Sequence, residues 1–279
     1  MPKPCVYCGS PANSDEHIIA SQFIELLAKD PRGFPVPTHL YVNEGEPDQL
    51  TIKGKRTKRG GPTVEYTARV CSKCNNEWMN DIDNAAAPFL NSAIQGQPFT
   101  LDRAMQRAAA VWMMKVAVTA RLSRASQMPI DPAWSHWLYS NHSPIHHWHV
   151  WIGRYVGEYP LRYKPHDIRL EPGRGSAPIP DAVAENHGMY GTLMIGYLVM
   201  QVLGIGPTWK IEGNAEPLLV PIWPCERDTV AWPPAGQVDT SGLIVLEQRL
   251  LAKPEQLAPQ RTPPGPNRAE RRARKNRKP

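Results

Sequence analysis

Four of the five cysteines in the chain form two Cys-x-x-Cys pairs, Cys5/Cys8 and Cys71/Cys74. Each pair lets two thiolates face one ion, and two such pairs supply the four sulfur ligands of a tetrahedral zinc site. Bound zinc would hold together two segments that are far apart in the sequence, which restricts how the N-terminal third can fold. We therefore predict a structural zinc site built from all four cysteines. Such a site has no open coordination position, so the zinc would stabilise the fold and would not itself take part in catalysis.

Hydrophobic periodicity predicts a mixture of helices and short strands, and therefore an α+β fold. Between about residues 39 and 70 the pattern indicates short strands, and the apolar run from Met189 indicates a buried strand or helix. The predicted helices are residues 18–29, residues 75–95 with a bend at Pro88, a long helix from its cap at Thr100, and a last helix within residues 239–253. The 279 residues suit one large domain or two smaller ones.

The C-terminal segment accounts for the basic character of the chain. Residues 266–279 hold seven Lys or Arg and one Glu, which equals the whole net charge of +6. The 30 prolines are roughly twice the average usage, and many lie from Pro254 onward. We therefore predict three parts: an N-terminal zinc unit at 1–95, an α+β domain of unknown role at 96–252, and a disordered, Pro-rich basic tail at 253–279. Such a tail can contact nucleic-acid phosphates, or it can serve only as a solubilising end.

Several features favour an intracellular protein. The N-terminal stretch MPKPCVYCG lacks the apolar segment of a secretory signal. The longest apolar run contains Gln201 and several glycines and is shorter than a bilayer span. Cys-x-x-Cys pairs in an intracellular protein favour metal over disulfide. We expect a cytoplasmic location, no membrane partner, and a buried and inert fifth cysteine, Cys225.

A second group of polar residues lies beside the cysteine pairs. Glu16 and His17 stand between the two pairs, and Asn75 follows Cys74 directly. A histidine beside carboxylates is a usable base near neutral pH. Asparagine is a poor helix former, so Asn75 and Asn76 at a predicted helix start are either caps or ligands.

This order of residues resembles the HNH family of nucleases, which fold as a ββα-metal (His-Me finger) motif, and in particular its zinc-containing branch. The pattern is a Cys-x-x-Cys pair, an acidic residue with His, and a second Cys-x-x-Cys pair followed at once by Asn or His. It covers residues 1 to about 95. The resemblance implies an N-terminal zinc-bound ββα-metal unit and a metal-dependent endonuclease that hydrolyses phosphodiester bonds in DNA, with RNA as the other possible substrate.

The resemblance also implies roles for individual residues. His17 would be the general base, and Glu16 and Asn75 would hold one catalytic divalent cation, Mg²⁺ or Mn²⁺. Acid-His pairs in the family are more often Asp-His, so Asp15 is the alternative carboxylate ligand, and Asn76 is an alternative to Asn75. The family often has Lys or His three residues after the Asn, where this chain has Trp78. Asn80 or Asp83, further along the helix, are candidates to complete the site.

A different class of function uses the same cysteines. A non-catalytic zinc module that binds nucleic acid or protein needs the four thiolates and has no use for Glu16, His17 or Asn75. The two hypotheses differ in one geometric expectation. A nuclease requires His17 and Asn75 to face one cleft, close enough to share one phosphate and one ion.

Overall fold

The computed structural model describes residues 3–30, 32, 67–122, 131–158, 161–169, 187–207 and 218–251. These residues form helices and strands in a mixed order, which confirms the α+β class. Residues 1–242 form one compact unit and residues 243–279 a second, of which the end of the last helix is described. The predicted tail at 253–279 lies outside the described residues, as does most of the β-rich segment 39–66.

Two short antiparallel strands lie at the N-terminal end. Strand β1 (Ser14–His17) pairs with β2 (Thr67–Val70), with Glu16 opposite Ala68. Helix α1 (Ser21–Glu25) follows β1 and continues into a 3₁₀ turn, Leu26–Lys29. The helix predicted from residue 18 thus begins three residues later. Residues 18 and 19 are two buried isoleucines, whose β-branched side chains suit the exit from a strand better than a helix start.

A helical run with a kink at Glu77 follows β2. It consists of α2 (Ser72–Cys74), a π-helical segment (Asn75–Met79) and α3 (Asn80–Ile94). Glu77 departs from helical dihedral angles, with φ −101° and ψ −105°. The predicted helix at 75–95 is therefore present, with an irregularity in its first turns.

The central helix of the fold is α4 (Arg103–Leu122). Thr100 does not cap it, as the sequence had suggested. Thr100 lies in strand β3 (Phe99–Asp102), paired with Ala231, and the cap is Asp102, whose Oδ1 accepts a hydrogen bond of 2.8 Å from the Met105 backbone N–H. Residues from 109 to 121 of α4 are all buried, which is the behaviour of a helix enclosed by other elements on every side.

The described strands from β3 onward form one six-stranded sheet and a separate two-stranded pair. The sheet order is β10–β4–β7–β6–β5, β8 also pairs with β4, and all pairings are antiparallel except β10–β4. The second pair joins β3 and β9. The bounds are β4 His149–Tyr155, β5 Leu161–Arg169, β6 His187–Ile195, β7 Leu198–Gly204, β8 Val220–Trp223, β9 Thr229–Trp232 and β10 Gln237–Val238. Helix α5 spans Pro132–Asn141 and α6 spans Thr240–Leu251.

The apolar run from Met189 forms a buried hairpin of strands β6 and β7. Of the two structures expected for it, strand or helix, the strand is confirmed. Its turn contains Gly196 at φ +56°, and a Cβ there would collide with the backbone carbonyl of Ile94. The Tyr197 N–H donates to that same carbonyl at 3.0 Å. Glycine is therefore required where the hairpin meets the end of α3.

One hydrophobic core joins residues on both sides of the boundary expected near residue 95. The core cluster extends from Cys5 to Trp232, and α4 packs against α3, β2 and β7. Phe23 of α1, for example, meets Trp112 of α4 in an edge-to-face contact of 5.7 Å between ring centroids. Within the described residues, the segments that carry the cysteines pack directly on α4.

Candidate metal centre and adjoining cleft

The two Cys-x-x-Cys pairs sit in tight backbone turns. The first is closed by hydrogen bonds from the Cys5 N–H to Ser10 O (2.6 Å) and from the Gly9 N–H to Cys5 O (2.8 Å). Gly9 has φ +77°, a conformation that glycine adopts without steric cost. The second pair begins where β2 ends, so that Cys71 is the N-cap of α2 and its sulfur accepts from the Cys74 N–H at 3.3 Å.

The four cysteine sulfurs form a compact cluster. All four atoms lie within 4.8 Å of one another, and Cys8 Sγ is 3.4 Å from Cys71 Sγ. Sulfurs around a tetrahedral zinc ion, each at about 2.3 Å from the metal, lie about 3.8 Å apart. Four cysteines at this spacing could hold a metal ion such as zinc.

The thiols respond differently to this environment. Burial opposes ionisation of Cys8, but hydrogen bonds from Ser10, Cys71 and Cys74 outweigh it and lower its pKa to about 6. Burial raises the pKa of Cys71 and of Cys74. Where burial makes ionisation costly, as at Cys71 and Cys74, a cation that supplies positive charge to the sulfurs would offset that cost.

Aromatic side chains connect the cluster to the core. Tyr7, inside the first pair, lies 2.9 Å from Thr119 Oγ1 of α4 through its hydroxyl oxygen. Its ring meets Trp78 edge-on at 5.0 Å, and Trp78 stacks on His142 at 5.7 Å with an interplanar angle of 9°. Trp78, at the position where the HNH pattern often has Lys or His, therefore packs in the core and does not line the cleft described next.

A polar cleft of about 340 Å³ adjoins the cysteine cluster. It lies between β1, the start of α1 and the helical run. Its lining residues are Glu16, His17, Ala20, Ser21, Asn75, Asn76, Asn80 and Asp83. The structure thus brings the three residues singled out in the sequence, Glu16, His17 and Asn75, to one cavity.

Asn75 is fixed by hydrogen bonds to β1. Its Nδ2 donates to Ser14 Oγ at 2.8 Å and to the Asp15 carbonyl at 3.3 Å. Both bonds use the amide nitrogen, so the acceptor oxygen Oδ1 is the atom left for a ligand. The backbone N–H of Asn75 bonds to Cys71 O at 3.1 Å, which connects this side chain directly to the second cysteine pair.

Glu16 points into the interior, where it meets a buried lysine. Its side chain is 7% exposed, and its Oε1 accepts from Lys115 Nζ at 3.1 Å. The same Nζ donates to both oxygens of Asp83, at 2.7 and 2.8 Å. Burial raises the pKa of the Glu16 carboxyl, Lys115 opposes this shift, and the nearby Asp83 charge adds to it.

The alternative ligands occupy different positions. Asp15 is exposed, pairs with Arg69 across the two strands at 3.3 Å, and is not among the residues that line the cleft. Asn76 and Asn80 line the cleft with exposed side chains. Asp83 also lines it, but both of its oxygens accept from Lys115, and Oδ1 accepts in addition from Trp112 Nε1 at 2.9 Å.

Sequence reasoning did not connect Lys115 with the site. A signal for it exists, because Lys115 interrupts the otherwise uncharged stretch AAAVWMMKVAVTA of the best-predicted helix. A lone charged residue on an apolar helix is buried only when it is paired. Its partners could not be identified from the sequence, since they are distant from it along the chain.

Comparisons with protein-family models, curated proteins and solved structures return no match to this chain. Within the part of the chain that the structure describes, no helix combines the length and apolarity that crossing a bilayer requires.

Proposed function

We propose that the protein is a metal-dependent HNH-type endonuclease that hydrolyses phosphodiester bonds in DNA. The observation that carries the proposal is the shared cleft of Glu16, His17 and Asn75 beside four clustered cysteines. A zinc module without catalysis has no need for a histidine, a carboxylate and an amide in one cavity. The presence of His17 and Asn75 in the lining of one cleft supports the nuclease over the non-catalytic module.

The order of elements around the cleft supports the same reading. Two antiparallel strands, β1 and β2, are followed by a helical run, and the histidine comes from the first strand while the asparagine comes from the helix. We take this arrangement as the ββα-metal unit, with zinc on the four cysteines as its structural ion. The hydrogen bonds from Asn75 to Ser14 and Asp15 then hold the helix start against the strand that carries His17.

The donor atoms in the cleft suit a hard divalent cation. Glu16 Oε2 and Asn75 Oδ1 are oxygen ligands of the kind that Mg²⁺ and Mn²⁺ prefer, and the open side of the cleft leaves room for water and phosphate. The formal charges of Glu16, Asp83 and Lys115 sum to one negative charge, which favours cation entry. When bound, the cation would stabilise negative charge on the phosphate and on the departing 3′ oxygen.

The side chains that line the cleft have separate roles in the proposed hydrolysis. An imidazole nitrogen of His17 accepts a proton from a water molecule as its oxygen forms a bond to phosphorus. The bond from phosphorus to the 3′ oxygen breaks in the same displacement. Asn75 and Glu16 would supply the oxygen ligands of the cation. The polar side chains of Ser21, Asn76 and Asn80 line the rest of the cleft, where a phosphodiester would lie.

A plasmid assay tests the proposal. Purified, zinc-loaded protein should convert supercoiled plasmid to the nicked form when Mg²⁺ or Mn²⁺ is added, and should leave it intact in EDTA. A parallel arm with single-stranded and structured RNA separates a DNA enzyme from an RNA enzyme. Protein that retards DNA in a gel without cutting it under any of these conditions would favour the non-catalytic zinc module.

A further inference from the structure

Lys115 is the most deeply buried charged group at the candidate site. Its side chain is 0% exposed, and its Nζ lies within 3.1 Å of three carboxylate oxygens, one from Glu16 and two from Asp83. Glu16 comes from β1, Asp83 from α3 and Lys115 from α4. One ammonium group therefore joins three separate elements at the inner wall of the cleft.

The two carboxylates use Lys115 in different ways. Both oxygens of Asp83 accept from Nζ, and Oδ1 also accepts from Trp112 Nε1. Glu16 accepts from Lys115 through Oε1, so Oε2 is the oxygen left for a ligand in the cleft that Glu16 lines. The ammonium group thus restricts rotation of the Glu16 carboxylate while leaving one oxygen available.

We propose that Lys115 is a positioning residue that orients Glu16 for binding of a divalent cation, an inference that rests on the proposed function. Lys115 cannot contact substrate, since it is shielded from solvent on all sides. It acts through Glu16, as hydrogen-bonded partners of metal ligands generally do. Asp83 completes the arrangement by balancing the charge of Lys115, so that the pair adds no net charge to the cleft.

The balanced double variant Lys115→Met/Asp83→Asn separates positioning from charge. Wild type and double variant carry the same net charge in the cleft, because one positive and one negative group are removed together. The amide introduced by Asp83→Asn keeps an acceptor for Trp112 Nε1, and methionine fills the lysine space without a donor for Glu16. Lys115→Met alone would leave two unpaired buried carboxylates, so it is unsuitable for this comparison.

The experiment measures Mn²⁺ binding to the full-length, zinc-loaded protein by electron paramagnetic resonance. We expect the dissociation constant of the double variant to rise by about tenfold or more, at unchanged zinc content and with cooperative unfolding preserved. Gln106→Met is the matched control. Gln106 is equally buried on the same helix but bonds to the backbone of Leu101, Arg227 and Asp228, and its substitution should leave Mn²⁺ affinity as in wild type.

Each contrary outcome has a distinct meaning. A folded double variant whose Mn²⁺ affinity stays within about twofold of wild type overturns the positioning role and leaves the proposed function intact. If the double variant loses zinc or unfolds, Lys115 has a structural role in the core, and the positioning role is also overturned. If the zinc-loaded wild-type protein binds no Mn²⁺, the cation site is overturned, and the positioning role of Lys115 is overturned with it.

Discussion

Asn75 Nδ2 lies 2.8 Å from Ser14 Oγ, and this hydrogen bond ties the start of the helical run to the strand that carries His17. The two residues are distant in sequence, but Asn75 follows Cys74 and Ser14 precedes the Glu16–His17 pair by only two residues. The contact therefore links the cysteine cluster to the polar cleft. Asn75 is thus held against β1, whereas the next residue, Asn76, is exposed.

Asn75→Ala and Asn76→Ala should have unequal effects. Asn75→Ala removes the bonds to Ser14 and Asp15 together with the proposed cation ligand Oδ1, so we expect plasmid nicking to fall by about 100-fold. Asn76 is exposed and should tolerate alanine with little loss of activity. The check is the initial nicking rate of both variants at saturating Mg²⁺. Equal losses in the two variants would remove the special position of Asn75.

Zinc content should depend on the clustered cysteines and not on the fifth one. The wild-type chain should contain about one zinc ion, and Cys71→Ser should lose it because a buried hydroxyl is a poor replacement for a thiolate. Since structural zinc sites contribute about 10–16 kcal/mol of apparent binding free energy, the variant should unfold at a clearly lower temperature.

Cys225→Ser is the matched control for this measurement. Cys225 is half-buried, and its thiol donates to Ile222 O away from the cluster. Its zinc content, measured by mass spectrometry of the metal, should equal that of wild type. A Cys71→Ser protein that retains zinc would contradict the four-cysteine site.

Lys115→Met should destabilise the protein. The substitution leaves Glu16 and Asp83 buried without their ammonium partner, and breaking a buried ion pair in this way costs about 3–5 kcal/mol. Denaturant unfolding monitored by the many tryptophans gives the free energy. The double variant Lys115→Met/Asp83→Asn should recover much of the loss, and a single variant as stable as wild type would argue against the ion pair.

Stability should fall on mild acidification partly because of His149. Burial lowers the pKa of His149 below its ordinary value of 6.5, and Glu226 only partly opposes this effect. The unfolded chain therefore binds more protons than the folded chain between the lowered pKa and about 6.5, and stability is lost as pH falls through that window. His147, also lowered by burial, acts in the same direction.

The substitution His149→Gln should flatten this dependence. Denaturant midpoints of wild type and variant, compared between about pH 7 and pH 5 in excess zinc, should diverge with the wild type losing more. Because acid also weakens thiolate ligation in both proteins, the difference between them isolates the histidine. Parallel curves would show that His149 carries no such linkage.

Local patterns in the sequence were sufficient for the cysteine cluster, the α+β class and the long helix. The spacing of Cys5/Cys8 and Cys71/Cys74 predicts that the four thiols cluster, and α4 follows from its apolar periodicity. The cap of α4 was missed because Thr100 and Asp102 are both good caps, and pairing of β3 with β9 decided between them. That pairing depends on residues near the other end of the chain.

The inner wall of the cleft was beyond local reasoning for the same reason. No local pattern connects Glu16, Asp83 and Lys115 with one another, and only packing of β1, α3 and α4 joins them. The resemblance to HNH nucleases implied that Glu16 holds a cation, but the sequence contains no sign that Glu16 Oε1 has a lysine partner. The roles of His17, Glu16 and Asn75 in catalysis stay predictions.

The most direct measurement is plasmid nicking by wild type beside His17→Ala, with Mg²⁺ or Mn²⁺ present and both proteins matched in zinc content and unfolding temperature. Loss of a general base costs about 10²–10⁴-fold in rate, so wild type should nick and the variant should not detectably do so. A His17→Ala protein that cuts at the wild-type rate would contradict the account.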